Sequence, residues 1–209
     1  LRGYYEGLVW VALHPLGLLE AGVGAHVDSV AALGVTLAVF GWAAGRGALL
    51  GAGLGIGVVT KLTPLIMVGG LLGRTRSYQA FVWIAAVVAL VYGAAMALGW
   101  MPLGSLPQFV QSWRFGSVID WSLSHFDLSR HPLVSPFLLL GGWAWLWRYA
   151  RGLDFCRLSM AFLGWAFFVS PVLFPWYLVV LLPLLSVAPS AILIGWLSIV
   201  PFTYEVIDA

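Results

Sequence analysis

Charge is what this sequence has least of. Of its 209 residues only 9% are Asp, Glu, Lys or Arg, with a single lysine and a single cysteine. Each scarcity excludes something. One thiol, Cys156, allows no intramolecular disulfide, and beside Arg151 and Arg157 it reads as a structural thiol. A net charge of +2 offers no basic surface for nucleic acid. No Gly-x-Ser-x-Gly elbow is present, so nucleophilic Ser or Cys chemistry has little to rest on. Gly51, Gly53, Gly55 and Gly57 lack the strand and the Lys-Ser/Thr of a phosphate loop and read instead as small residues for close helix packing. Alternating barrel strands are nowhere visible. The first residues show neither a basic n-region nor a small-residue cleavage site, and position 1 is Leu, so a fragment without its N-terminal part is expected.

What is present is apolar: 62% of residues are hydrophobic and the mean hydropathy is +0.99. So little polar surface does not cover a water-soluble globule. Runs such as Ala80 to Met101 approach the roughly 20 residues that carry a helix across about 30 Å of hydrocarbon. The expected fold class is therefore all-α, a polytopic transmembrane helical bundle forming one domain over residues 1–209. Arginines give its topology, because short cytoplasmic loops are rich in Lys and Arg. Arg2, Arg46, Arg74 with Arg76, and Arg148 with Arg151 and Arg157 all fall inside if spans are cut at Tyr4–Leu19, Ser29–Ala43, Ala80–Trp100, Pro132–Trp147, Leu158–Ser170, Tyr177–Val187 and Ala191–Val200. The run from Arg46 to Arg74 becomes a short helical hairpin, broken at Lys61-Leu62-Thr63-Pro64 by proline. Residues 101–131 form an extracytoplasmic interfacial loop anchored by Trp113, Phe115, Trp121 and Phe126. The expected location is a multi-pass place in a bacterial cytoplasmic membrane.

Against that background the few ionisable residues inside apolar runs stand out, since each costs roughly 2.5 to 3.5 kcal/mol on insertion scales. Glu20, His26 and Asp28 interrupt one run and Lys61 the next. The topology sends them to one outer face, together with Arg114, Arg130, His125 and His131. Cations beside carboxylates suit a phosphate held next to a base that takes a proton from a hydroxyl. They equally suit a proton-coupled transporter. Plainer roles stand beside these: Asp28 as an N-cap for a helix from Ser29, Glu20 paired with His26, Lys61 snorkelling to lipid phosphate, and Trp176 with Tyr177 as an aromatic belt. Arg130, His131, His125 and Asp127 also suit an ordinary solvated loop. His26 and Asp28 supply two ligands without a third, so no metal is expected.

The order of blocks carries a resemblance. His14-Pro15-Leu16-Gly17-Leu18-Leu19-Glu20 with Gly24-Ala25-His26-Val27-Asp28, then Thr60-Lys61-Leu62-Thr63-Pro64, then Ser170-Pro171 with Pro175-Trp176-Tyr177 and Leu182-Pro183, resembles the GT-C polytopic glycosyltransferases. The nearest likeness is to bacterial polyprenol-phosphate-mannose-dependent mannosyltransferases, in which the first block carries Asn where this chain has His14. The resemblance implies transfer of a hexose, mannose in that family, from a polyprenyl-phosphate sugar donor to a lipid or glycan acceptor at the outer face of the cell envelope. It implies Glu20, His26 and Asp28 as catalytic residues, with the family's principal base in a loop before this chain begins. Lys61, Arg130 and His131 would bind donor phosphate, and Trp176 and Tyr177 would flank sugar or prenyl chain. Membrane lipids are the other expected partner, and no cofactor is required. The competing expectation is a transporter or flippase of lipid-linked sugars, which should place ionisable residues at midplane on discontinuous helices.

Overall fold

Three helices in this chain start at capping side chains, and several stop at glycines or prolines. The computed structural model describes residues 11–23, 26–72, 77–101, 117–126 and 133–203, with the single positions 7, 9, 104, 106, 108 and 115. Helix α1, Pro15–Leu18, is opened by Pro15 and capped by His14, whose Nδ1 accepts the Leu16 N–H at 3.2 Å. It runs into one turn of π-helix, Leu19–Val23. Helix α2, Asp28–Ala43, turns at Gly45, whose φ of +66° suits glycine, into α3, Gly47–Thr60. The chain is extended at Lys61 and resumes as a 3₁₀ helix, Thr63–Leu71, with Pro64 in its first turn. Helix α4 is Ser77–Ala97, and α5, Val118–Ser124, is capped by Ser117. Helix α6 is Val134–Ala150, and α7, Phe155–Val169, is capped by Asp154. A 3₁₀ helix, Pro175–Leu181, continues as α8, Leu182–Val187, and the last described elements are α9, Ala191–Ile199, and a 3₁₀ turn, Val200–Thr203.

Packing follows from where side chains are missing. Helices α2 and α3 meet on bare backbone: a Cβ on Gly34 would lie 2.6 Å from the Gly57 nitrogen, and one on Gly53 would lie 2.5 Å from the Ala38 nitrogen. Gly51 gives α4 the same close approach to α3, at Ala80. Helix α7 is the central element and buries ten of its fifteen residues, including Phe155, Leu163 and Phe167, against the 3₁₀ helix Thr63–Leu71 and α8. Helix α6 buries none and packs on α7. Two indole bonds join that pair, Trp143 Nε1 to the Phe162 carbonyl at 3.2 Å and Trp165 Nε1 to the Leu138 carbonyl at 3.0 Å.

Among the described residues there is no sheet. One parallel bridge joins Phe115 to Val172, with the Leu173 N–H donating to the Phe115 carbonyl at 2.7 Å. Residues 101–131, expected as an interfacial loop, thus include the short helix α5 and this bridge to the segment before Pro175.

The polytopic bundle expected from composition is corrected. Among the described residues one helix, Tyr78–Ala97, is long and apolar enough to cross a membrane, and 11% of its most apolar window is buried. The 16 residues of α2, the 14 of α3 and the 15 of α7 reach about 24, 21 and 22 Å at 1.5 Å per residue, short of the roughly 30 Å of hydrocarbon. The expected multi-pass place in a bacterial inner membrane falls with the bundle. The apolar runs are broken by His14-Pro15, by the extended Lys61 and by 3₁₀ turns, and much of their apolar surface faces other helices. The expected span Ala80–Trp100 lies three residues earlier, because Gly99 with φ +78° ends the helix.

Candidate functional site

Four elements carry the ionisable residues to one place, and the α2–α3 hairpin explains why. Because the two helices run antiparallel across Gly45, the first residue of α2, Asp28, and the residue after α3, Lys61, lie at the same end. Their side chains form an ion pair with a direct hydrogen bond, Lys61 Nζ to Asp28 Oδ1. Each charge also suits its helix end, the carboxylate at an N-terminus and the ammonium at a C-terminus. Asp28 is 2% exposed. The expected N-cap role is absent: Val27 is the cap residue, no side chain caps the helix, and the carboxylate is turned to Lys61 instead.

The 3₁₀ helix Pro175–Leu181 lies along α2 and closes the other side. Lys61 Nζ sits 3.5 Å from the Tyr177 ring centroid, a cation–π contact. Burial and the Asp28 charge push the Tyr177 phenol up to about 12. Burial lowers the Lys61 ammonium, and Asp28, by charge and hydrogen bond, and Glu20 oppose that shift.

Glu20 occupies the π-helical turn, an irregularity often found where a side chain is re-aimed at a functional position. Its side chain is 2% exposed and its Oε2 has no hydrogen-bond partner among the described residues. The nearest titratable nitrogen is His26 Nε2 at 3.6 Å. The His26 N–H donates to the Glu20 carbonyl at 3.2 Å, which closes the turn and fixes the imidazole beside the carboxyl. Burial raises Glu20; His26 opposes that rise, Asp28 adds to it and Lys61 opposes it. Glu20 is thus a carboxyl biased toward its protonated form, next to a carboxylate already bonded to lysine.

His26 is itself held by a column of rings. Trp176 stacks on it at 4.5 Å with planes 13° apart, Phe174 stacks on Trp176 at 4.5 Å, and Phe115 stacks on Phe174 at 4.7 Å. With 37% of its side chain exposed, His26 forms the open end of the cluster.

The structure therefore brings together six of the sequence-derived candidates: Glu20, His26, Asp28, Lys61, Trp176 and Tyr177. Arg130, His131, Arg114 and Asp127 lie outside the described residues. His125 contacts Trp121 of its own helix, through the Trp121 carbonyl and ring. Among the described residues no group of three His, Cys, Asp or Glu could hold a metal ion. Sequence reasoning gave Phe115 only as an interfacial anchor and missed Phe174 as part of the site, although Phe174 directly precedes the Pro175-Trp176-Tyr177 block. It also missed the use of His14, whose ring nitrogen does the capping that Asn, a favoured N-cap residue, does elsewhere.

No protein-family model, no curated protein and no solved structure matches this chain. The GT-C resemblance drawn from the motif blocks is accordingly corrected. The membrane mannosyltransferase and the lipid-linked-sugar transporter, both derived from a many-span architecture, go with it, since a single described helix is long enough to span. What remains for this chain is an all-α arrangement with a buried carboxyl–imidazole–lysine cluster.

Proposed function

We propose that the cluster is an acid–base site of an enzyme, in which Glu20 exchanges a proton with a hydroxyl of a bound small molecule and Lys61 faces an anionic group of that molecule. The observation that carries the reading is the asymmetry between the two carboxyls. Asp28 is engaged by Lys61, whereas Glu20 is buried, raised by that burial, and holds an unbonded oxygen beside His26. Paired titratable groups in different environments are the usual way of dividing acid and base roles. Lys61 carries three donors, so Asp28 does not exhaust it. His26, about a third exposed and stacked on Trp176, supplies the path by which Glu20 regains a proton.

A second reading has its own support: the Asp28–Lys61 bond joins the start of α2 to the end of α3, so the cluster would serve as a structural tie. Dicyclohexylcarbodiimide separates the two, because it modifies carboxyls that are protonated in apolar surroundings. The acid–base reading expects Glu20 to be labelled, less so as pH rises, and to be protected by glycerol phosphate, which carries both a hydroxyl and an anionic group. A Glu20 that stays unlabelled in folded protein, or labelling that glycerol phosphate leaves unchanged, would overturn it and favour the tie.

A further inference from the structure

Away from the charged cluster, helices α6, α7 and α9 enclose a cleft of about 840 Å³. This falls within the range of small-molecule sites, which are concave, mostly apolar and oriented by a few polar groups. Its walls are aromatic and aliphatic, with Trp145 and Trp165 among them, and among the described residues Arg157 is the only ionisable one lining it. From Arg157 to Phe168, both lining residues of α7, the helix rises about 16 Å. The cleft is therefore elongated and apolar, and its one charge is positive.

One further feature favours an anion near that charge: Arg157 is in the first turn of α7, a helix of 15 residues. Helix N-termini present backbone N–H groups and partial positive charge. The Arg157 guanidinium does have a carboxylate neighbour, Asp154 at 3.4 Å, with 63% of the arginine side chain exposed. An exposed pair of this kind holds weakly. Asp154 also accepts the Arg157 backbone N–H at 3.0 Å, so the guanidinium can turn to another anion while the helix cap stays intact.

We infer that this cleft binds a single-chain anionic amphiphile, its hydrocarbon tail between α6, α7 and α9 and its carboxylate or phosphate at Arg157. Two clean perturbations exist. A Cβ at Gly141, a lining residue of α6, meets nothing within 4 Å, so the side chain of Gly141→Leu starts in open space at the cleft. Arg157→Gln removes the charge and leaves the apolar walls. Gly142 is the wrong choice, because a side chain there would run into the Trp165 ring.

The test is photolabelling of the purified full chain with a diazirine-bearing palmitate, mapped by peptide mass spectrometry. Labels should concentrate on α6, α7 and α9, and each variant should lower them about tenfold, the loss expected for one charge-assisted contact or for steric closure. Palmitate should compete and palmityl alcohol should not. Stronger competition by palmitate than by lysophosphatidylglycerol assigns a free carboxylate, and the reverse assigns a lipid phosphate. Labels spread over the exposed face of α4 and indifferent to both variants would mean unspecific partition and would overturn the inference.

Discussion

Lys61 is the residue on which the cluster turns, since it holds Asp28 by hydrogen bond and Tyr177 by its ring face. Removing one partner of a buried ion pair strands the other, at roughly 3 to 5 kcal/mol when fully buried. Lys61 retains 21% exposure, so Lys61→Met should cost less, about 1 to 3 kcal/mol. Asp28→Asn combined with Lys61→Met should recover part of that loss. Urea unfolding of the four proteins measures the coupling, and strictly additive losses would show that the pair contributes nothing. These residues were visible in the sequence for a physical reason: a charge inside an apolar run needs a partner, and Glu20, Asp28 and Lys61 found theirs in one another and in His26. The ring column was not visible, because Phe115 and Phe174 are far apart in the chain and an aromatic carries no such obligation.

At the scale of elements, glycine decides more than hydrophobicity does. Helices α2 and α3 show little amphipathic pattern, being apolar all round, and their mutual orientation comes from Gly34 and Gly53 meeting backbone. Gly53→Leu should force the helices apart and destabilise the chain by about 1 to 3 kcal/mol or more, as overpacking does. Gly93→Leu, with nothing within 4 Å of its added Cβ, is the matched control on an exposed helix and should stay near wild type in the same thermal melts. The break at Lys61-Leu62-Thr63-Pro64 could be read from proline chemistry, as could the end of α4 near Gly99. Span count could not. Uniform apolarity is the shared signature of a bilayer helix and of a helix packed among others, and arginine positions do not decide what the lengths of the finished helices resolve.

For the molecule as a whole, the buried titratable groups set how stability responds to pH. Glu20 is raised from 4.5 by burial, so above that value the unfolded chain releases its proton first and stability falls as pH climbs toward the raised value. His14, lowered from 6.5 by burial, acts the other way, and stability rises with pH from the lowered value up to 6.5. Tyr177 contributes a further fall between 10 and about 12. Urea midpoints of wild type and Glu20→Gln across acid and neutral pH should diverge, the variant losing the fall above 4.5. Parallel curves would show that Glu20 titrates alike in both states. The two faces of α6 give the molecule a further property. One borders the cleft shared with α7 and α9, and the other a second apolar cavity of about 530 Å³ against the 3₁₀ helix Thr63–Leu71. Held to α7 by two indole hydrogen bonds, with none of its own residues buried, α6 should exchange its amide hydrogens faster than α7 in the native state.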